Sequence, residues 1–173
     1  YREAYGMFAS TGIMFNHESE FRSRSYVTRK LTFNLARLKL LGGNSVQLGN
    51  LDSSRDWSSA FDFVDAMFDI ISSNNFNDFV FSSGKLTSLR SIIIHACNYL
   101  EFEPIFIGDG YQEKCIDSKT GLELISINKK YYREIDTPGM TGDSSQLKRV
   151  VGWTPNISIE KTIENMIDKD INR

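Results

Sequence analysis

The sequence has few cysteines and few histidines, and these shortages exclude several classes of site. Only two cysteines occur among its 173 residues, Cys97 in an apolar run and Cys115 in a polar stretch. That number and placement indicate neither a disulfide framework nor a zinc site. The two histidines, His17 and His95, are too few for a metal centre built on imidazoles, so we expect no metal. The scarce cysteines are typical of a reducing, cytoplasmic setting.

The sequence also lacks a long apolar run and an excess of charge of one sign. No segment approaches the roughly 20 apolar residues that cross a bilayer. There are 20 basic and 22 acidic residues, for a formal net charge of -2. This balance argues against a surface that coats nucleic acid and against a polybasic membrane patch. A neutral or anionic small molecule is the partner class that remains.

Glycine-rich phosphate-binding motifs are missing as well. The chain contains no Gly-x-Gly-x-x-Gly and no Gly-x-x-x-x-Gly-Lys, so a complete dinucleotide-binding fold is not encoded. Residues 1–5 have no signal-peptide character and resemble the last turn of a helix that ends at Gly6. We therefore expect the sequence to begin inside a longer fold.

Short β-like runs alternate with helical patterns along the chain, which predicts an α/β class. We expect strands within residues 7–15, 45–48, 79–81 and 104–107, followed by a hairpin or an insertion rich in Gly, Lys and Asp. Helices are predicted over residues 27–41, around the apolar stripe Phe61, Val64, Phe68 and Ile71, after a cap at Thr87 or Ser88, through Val150 after a cap at Asp143, and after a cap at Ser158. Without repeats or low-complexity linkers, one domain is the simplest division.

Polar groups follow the first predicted strand and suggest a ligand site. Asn16-His17-Glu18-Ser19 lies where open α/β sheets usually bind ligands, beyond the carboxyl end of a strand. Lys30, Arg55 and Arg133 together could hold a diphosphate through charge-assisted hydrogen bonds. The alternative is that each is a solvated surface charge, as most single cations are.

A family resemblance extends over nearly the whole chain. The motifs that carry it are Tyr1-Arg2-Glu3-Ala4-Tyr5-Gly6-Met7-Phe8-Ala9, Gly12-Ile13-Met14-Phe15-Asn16-His17-Glu18-Ser19, Val27-Thr28-Arg29-Lys30, Leu48-Gly49-Asn50-Leu51-Asp52, Arg55-Asp56-Trp57, Asp78-Phe79-Val80, Tyr131-Tyr132-Arg133, Gly142-Asp143 and Gly152-Trp153-Thr154-Pro155. In order and spacing they resemble GDP-mannose 4,6-dehydratases, of the extended short-chain dehydrogenase/reductase superfamily. The resemblance implies the C-terminal part of a Rossmann-like enzyme with its smaller, mixed α/β substrate-binding domain. Residues 1–173 would then be a single fragment, in which the last strands of the NADP-binding domain interleave with the nucleotide-sugar-binding domain.

The resemblance also implies an activity for the parent protein. Members of the family are lyases that convert GDP-mannose to GDP-4-keto-6-deoxymannose and water with bound NADP. NADP takes a hydride from C4 of the sugar, a base removes the C5 proton, water leaves from C6, and the hydride returns to C6. We expect the parent protein to be a homo-oligomer, either a dimer or a tetramer, and to act on GDP-mannose or a related GDP-sugar.

Site residues follow position by position from the same resemblance. His17 and Arg22 match contacts to NADP. The positions that match the surroundings of GDP are Asn16, Val27, Lys30, Arg55, Arg133 and Asp136, the last replacing a glutamate of the family. The family's catalytic Thr, Glu, Tyr and Lys all precede the position that matches Tyr1. No catalytic residue is therefore assigned, and the isolated chain is expected to be inactive.

Three departures from the family pattern keep alternatives open. The predicted NADP loop differs from the family's. Where the family has Pro-Arg-Arg-Gly-Glu-Thr, this sequence has Glu20-Phe21-Arg22-Ser23-Arg24-Ser25. Ser58-Ser59 replaces Gly-His and Glu134 replaces a proline, so the sugar could be that of a GDP-heptose dehydratase. The other hypotheses are a non-catalytic nucleotide-sugar-binding or subunit module and a related reductase or epimerase on the same scaffold.

Overall fold

The structure, a computed structural model, describes residues 1–73, 75–133 and 137–172. Its helices are α1 Arg2–Tyr5, α2 Val27–Leu41, α3 Ala60–Ser72, α4 Leu89–Tyr99, α5 Ser145–Val151 and α6 Ile159–Ile171, with a 3-10 turn at Gly110–Gln112. Its strands are β1 Thr11–Met14, β2 Asn16–Glu18, β3 Val46–Leu48, β4 Ser54–Ser59, β5 Asp78–Phe81, β6 Leu86–Ser88, β7 Pro104–Ile107, β8 Lys114–Asp117 and β9 Glu123–Ile127. The α/β class is confirmed. None of the helices in these described ranges is both long and apolar enough to cross a membrane.

The strands form three sheets with mixed strand directions. β1 pairs with β5 in parallel, β4 lies between β2 and β6, and the third sheet has the order β3-β9-β8-β7. β2 runs parallel to β4, whereas β6 is antiparallel to it. The stretch predicted as a hairpin or an insertion is a hairpin, because β8 and β9 pair in antiparallel fashion across a short turn.

The polar segment after the first strand differs from its prediction as a loop. Asn16–Glu18 is itself a short strand, β2, and pairs with residues 57–59 of β4. Strand β4, with the sequence Ser-Arg-Asp-Trp-Ser-Ser, has no counterpart in the sequence prediction, because it lacks the apolar alternation that indicates a strand. Its buried Asp56 accepts hydrogen bonds from residues 83, 84 and 142, and local patterning does not encode such distant partners.

Two apolar cores stabilise the molecule. The larger contains side chains from α2, α4 and α6 that pack on β3 and β9, with Leu31, Leu35, Ile93 and Ile163 almost completely buried. In the same layer a buried ion pair joins α2 to α6, with Arg29 Nη2 donating to Asp170 Oδ1 at 2.8 Å. The smaller core is aromatic.

The aromatic core lies between α3, β5 and the segment before α6. Phe63 contacts Phe81 and Trp153 edge to face, with ring centroids 5.4 and 6.1 Å apart. The Trp153 indole N–H donates to the carbonyl of Asp62 at 2.9 Å, so its polar end is satisfied as well. This cluster fastens the C-terminal segment to the β1–β5 sheet.

The stripe Phe61, Val64, Phe68 and Ile71 of α3 does not face a core in the described structure. These side chains are 43 to 70% exposed, whereas Phe63, Ala66 and Ile70 are buried on the opposite side of the helix. Both faces of α3 carry apolar residues at helical spacing, and only tertiary contacts decide which face is covered. All four residues of β1 are exposed too, although parallel strands are normally covered on both faces.

Helix boundaries are mostly as predicted. Ser158 Oγ accepts a hydrogen bond from the Lys161 N–H, which confirms that cap. Of the two caps predicted for α4, Thr87 and Ser88, it is Ser88 that accepts from the backbone N–H of Ser91. α1 ends at Gly6 in the left-handed conformation, with φ of 62°. Ser144 occupies the N-cap position of α5, one residue after the predicted Asp143, and its side chain makes no cap bond. The Asp143 carboxylate nevertheless accepts a hydrogen bond from the N–H of Ser145, the first residue of the helix.

The two cysteines are brought together by the fold. Cys97 of α4 and Cys115 of β8 are both free thiols with no exposed surface. Their mutual hydrogen bond, together with burial, raises the pKa of the Cys97 thiol. The same hydrogen bond lowers the pKa of the Cys115 thiol, whereas Cys97, with its raised pKa, behaves as a small apolar group of the core.

Replacing one phenylalanine on each face of α3 tests this assignment of the faces. We expect Phe63→Ala to lower the free energy of unfolding by about 3–5 kcal/mol, because it removes a fully packed ring from the aromatic core. The matched variant Phe68→Ala, at a ring that is 70% exposed, should change that free energy by less than about 0.5 kcal/mol. Urea denaturation followed by circular dichroism measures both, and equal losses would contradict the burial pattern.

Candidate nucleotide-binding cavity

A cavity of about 310 Å³ opens between the second and third sheets. Five predicted binding residues, Asn16, Val27, Lys30, Arg55 and Arg133, line it. The rest of the described lining consists of Ser25, Leu48, Gly49, Asn50, Ser53, Trp57, Leu89 and Tyr131. The structure therefore brings together residues that are up to 117 positions apart, as the difference between 133 and 16 shows.

Strand geometry explains why these side chains meet. Asn16 begins β2 and lies opposite Trp57 of β4, so both reach the cavity from paired strands. Since side chains alternate along a strand, Arg55 and Trp57 project from the same face of β4. β3 ends at Leu48 beside them, and the loop of Gly49 and Asn50 that follows it forms one wall.

The N-terminus of α2 forms another wall and favours an anion. Tyr26 occupies the N-cap and, in the described chain, supplies no side-chain hydrogen bond to the first turn, which contains no acidic residue. The first backbone N–H groups of this 15-residue helix therefore need another acceptor. Together with the helix dipole, they make the end that starts at Val27 suitable for a phosphate or a carboxylate.

Three cations reinforce this preference. Lys30, on the first turn of α2, lies over the ring of Tyr131, with its Nζ 3.7 Å from the ring centroid. Arg55 Nη1 donates to the Ser54 carbonyl at 2.7 Å, and Arg133 is largely exposed at the rim. No lining residue in the described part of the chain has a carboxylate. An anionic ligand that accepts several hydrogen bonds would suit this arrangement.

The carboxylate of Asp56 holds β4 in place behind the cavity. Its Oδ1 accepts hydrogen bonds from the Ser83 N–H and hydroxyl at 2.8 and 2.6 Å. Its Oδ2 accepts from the N–H groups of Gly84 and Gly142 at 3.0 and 3.2 Å. These four hydrogen bonds offset the free-energy cost of burying the carboxylate. They also hold its neighbours Arg55 and Trp57 at the cavity wall.

The two predicted NADP contacts lie outside the cavity lining. The His17 ring is 5.2 Å from the ring of Phe63, and its Nδ1 lies 2.9 Å from the Phe15 carbonyl oxygen. Arg22 donates from Nη1 to the His17 carbonyl at 2.6 Å, and its Nε lies 3.0 Å from Glu18 Oε2. Burial raises the pKa of Glu18, and the Thr28 hydroxyl and Arg22 oppose that rise. These residues form a separate polar cluster beside β2.

The remaining sequence predictions differ in outcome. Asp136 lies outside the described residues. His95 of α4 lies against α6, with its Nε2 3.2 Å from Glu164 Oε1. A search of the described ranges finds no group of three His, Cys, Asp or Glu side chains placed to hold a metal ion.

Several lining residues had no predicted role. Leu48, Gly49, Trp57 and Leu89 are small or apolar and have no recognisable binding chemistry in a sequence. Trp57 is 4% exposed, and its indole N–H finds no acceptor within the described residues. Gly49, Trp57 and Tyr131 do lie within motifs that carry the family resemblance, which is the signal that could have identified them.

The family model and the curated relatives that match this chain carry the same family description. A family model described as GDP-mannose 4,6 dehydratase matches residues 1–166. The GDP-mannose 4,6 dehydratase of Drosophila melanogaster is 36% identical over 171 residues, which are 99% of this chain and 43% of that protein. The GDP-mannose 4,6-dehydratase of Sinorhizobium fredii strain HH103 is 34% identical over 99% of this chain and 49% of its own length. The chain thus spans about half the length of these curated relatives.

Solved structures share the fold. RMD from Pseudomonas aeruginosa, solved with NADPH, superposes with a TM-score of 0.81 at 20% identity, over 99% of this chain and 51% of its own. The dTDP-glucose 4,6-dehydratase of Bacillus anthracis, solved with NAD, has a TM-score of 0.70 at 12% identity, over 97% of this chain and 46% of its own. The chain therefore shares the α/β fold of the corresponding parts of these two proteins.

A methyl group at position 49 should disturb the cavity wall. In Gly49→Ala the new Cβ would lie 2.2 Å from the Tyr131 carbonyl oxygen, a contact that only backbone movement relieves. We expect amide resonances of residues 128–132 to shift in two-dimensional NMR spectra, with a loss of about 1–3 kcal/mol in unfolding free energy. Gly121→Ala is the control for the location of the shifts. Its φ of 73° makes alanine strained there, so stability should fall too, but its Cβ meets open space in a distant turn and residues 128–132 should not shift. Unchanged resonances near Tyr131 in Gly49→Ala would show the prediction to be wrong.

Proposed function

Because the chain belongs to the GDP-mannose 4,6-dehydratase family, we propose that its cavity binds the GDP portion of GDP-mannose or of a related GDP-sugar. The observation that carries this proposal is the convergence of Asn16, Val27, Lys30, Arg55 and Arg133 on one cavity. These residues come from β2, α2, β4 and the segment after β9, so a shared neighbourhood is not a consequence of sequence proximity.

The charge distribution supports a diphosphate as the anchoring group. A diphosphate carries several negative oxygens, and the cavity offers an uncapped helix N-terminus and three cations. The two guanidinium groups provide planar pairs of donors, while Lys30 provides a compact point charge. Asn16 adds an amide that can donate a hydrogen bond to a phosphate or sugar oxygen.

For the longer protein we propose conversion of GDP-mannose to GDP-4-keto-6-deoxymannose and water. NADP would accept a hydride from the sugar and return it, and this chain would orient the nucleotide end of the substrate. His17 and the partly exposed Arg22 suit one edge of such a cofactor, since Arg22 is a cation beside the carboxyl end of β2. The described polar cluster beside β2 thus fits a contact to NADP, and assembly as a homo-oligomer remains a prediction.

Binding of GDP to the 173-residue chain tests the cavity assignment. We expect titration calorimetry to detect GDP, with GMP binding more weakly because it has one phosphate fewer. Lys30→Met and Arg55→Met should each weaken GDP binding about tenfold, because each variant loses one charge-assisted contact to the ligand. Lys148→Met is the matched control, since this exposed lysine of α5 does not line the cavity. Equal binding by the wild type and both cavity variants would refute the assignment.

The absence of an assigned catalytic residue predicts no turnover by this chain alone. Purified protein incubated with GDP-mannose and NADP should form no 4-keto-6-deoxy sugar above a protein-free control, because the family resemblance assigns no catalytic acid or base to residues 1–173. The product can be followed by its keto group in alkaline absorbance and by mass spectrometry. Formation of product that scales with protein concentration would contradict the prediction.

A further inference from the structure

Lys30 is held by an aromatic ring at the cavity wall. Its ammonium lies 3.7 Å from the centroid of the Tyr131 ring, well within the range in which a cation is attracted to the ring face. Both residues line the cavity, so the contact lies on the surface that a ligand would meet. The Tyr131 side chain is half exposed, so water can still reach the ring.

Tyr131 is itself anchored through its backbone. The Tyr131 N–H donates to the Asn128 carbonyl at 2.9 Å, and the Asn128 N–H donates to the Leu48 carbonyl at the end of β3 at 2.8 Å. The Asn128 side-chain amide also donates to Gln47 Oε1 at 2.7 Å. The turn that presents the ring is thus hydrogen-bonded directly to β3.

Gly49 completes this anchor from the opposite side. The Tyr131 carbonyl comes so close that it occupies the space a side chain at position 49 would need. The absent side chain lets two backbone segments touch, and this contact sets the depth at which the ring lies in the cavity. The backbone that carries the ring is therefore fixed against β3, and the tyrosine side chain has two rotatable bonds whereas a lysine has four and many rotamers.

We infer that Tyr131 is a positioning residue that holds the Lys30 ammonium at the place where the diphosphate binds, an inference that rests on the proposed function. A lysine already restrained by a ring loses less conformational freedom when the ligand arrives. The ring is needed for this role, whereas the hydroxyl is not. Phenylalanine at position 131 should therefore substitute for tyrosine, and an aliphatic residue should not.

The test is a double-mutant cycle on GDP binding by the 173-residue chain. Titration calorimetry should show Tyr131→Phe within about twofold of the wild type and Tyr131→Leu weaker by about three- to tenfold. In a Lys30→Met background, Tyr131→Leu should cause no further loss, because the ring then has no cation to hold. Tyr5→Leu, at an exposed tyrosine of α1 away from the cavity, controls for unspecific effects.

A second measurement examines the pair without ligand. The Nζ-adjacent methylene protons of Lys30 should be shifted upfield by the ring current in NMR spectra of the wild type and of Tyr131→Phe, and not in Tyr131→Leu. An equal loss of GDP affinity from Tyr131→Leu with and without Lys30, or an absent upfield shift, would overturn the inference while leaving the cavity assignment intact. Failure of the wild type to bind GDP would instead overturn the proposed function, and the positioning role with it.

Discussion

The candidate site depends on the hydrogen bonds that the buried carboxylate of Asp56 accepts. One side chain of β4 receives four hydrogen bonds from the segment between β5 and β6 and from the loop before α5. Gly142 can approach it only because it has no side chain, since a Cβ there would lie 2.5 Å from the Cβ of Ser82. The two residues flanking Asp56 project from the other face of β4, so this network holds the cavity wall from behind.

The structure combines a well-packed interior with apolar surface that is uncovered. The aromatic cluster around Phe63 and the helical layer around Leu35 are buried, while the opposite face of α3 and the whole of β1 are exposed. Parallel strands normally have cover on both faces and a partner at each edge. That pattern agrees with a chain that spans about half the length of its curated relatives.

The charged residues of the site were the ones that the sequence predicted best. Lys30, Arg55 and Arg133 were selected by their chemistry and by the family motifs, and the structure brings them to one cavity. Gly49 and Tyr131 had no assigned role, because their importance comes from a close backbone approach between two segments more than 80 residues apart. Strand β4 was missed for a similar reason, since the donors to its buried Asp56 come from distant parts of the chain.

The sequence alone determined the α/β class, the bounds of α2, the capping serine of α6, and the family. Those features depend on local periodicity, on hydrogen bonds within one turn, or on motif order, all of which a linear sequence carries. Tertiary structure decided which face of α3 is buried, that Asn16–Glu18 is a strand, and that a ring holds the cavity lysine. These outcomes depend on contacts between segments far apart in the chain, which local pattern does not specify.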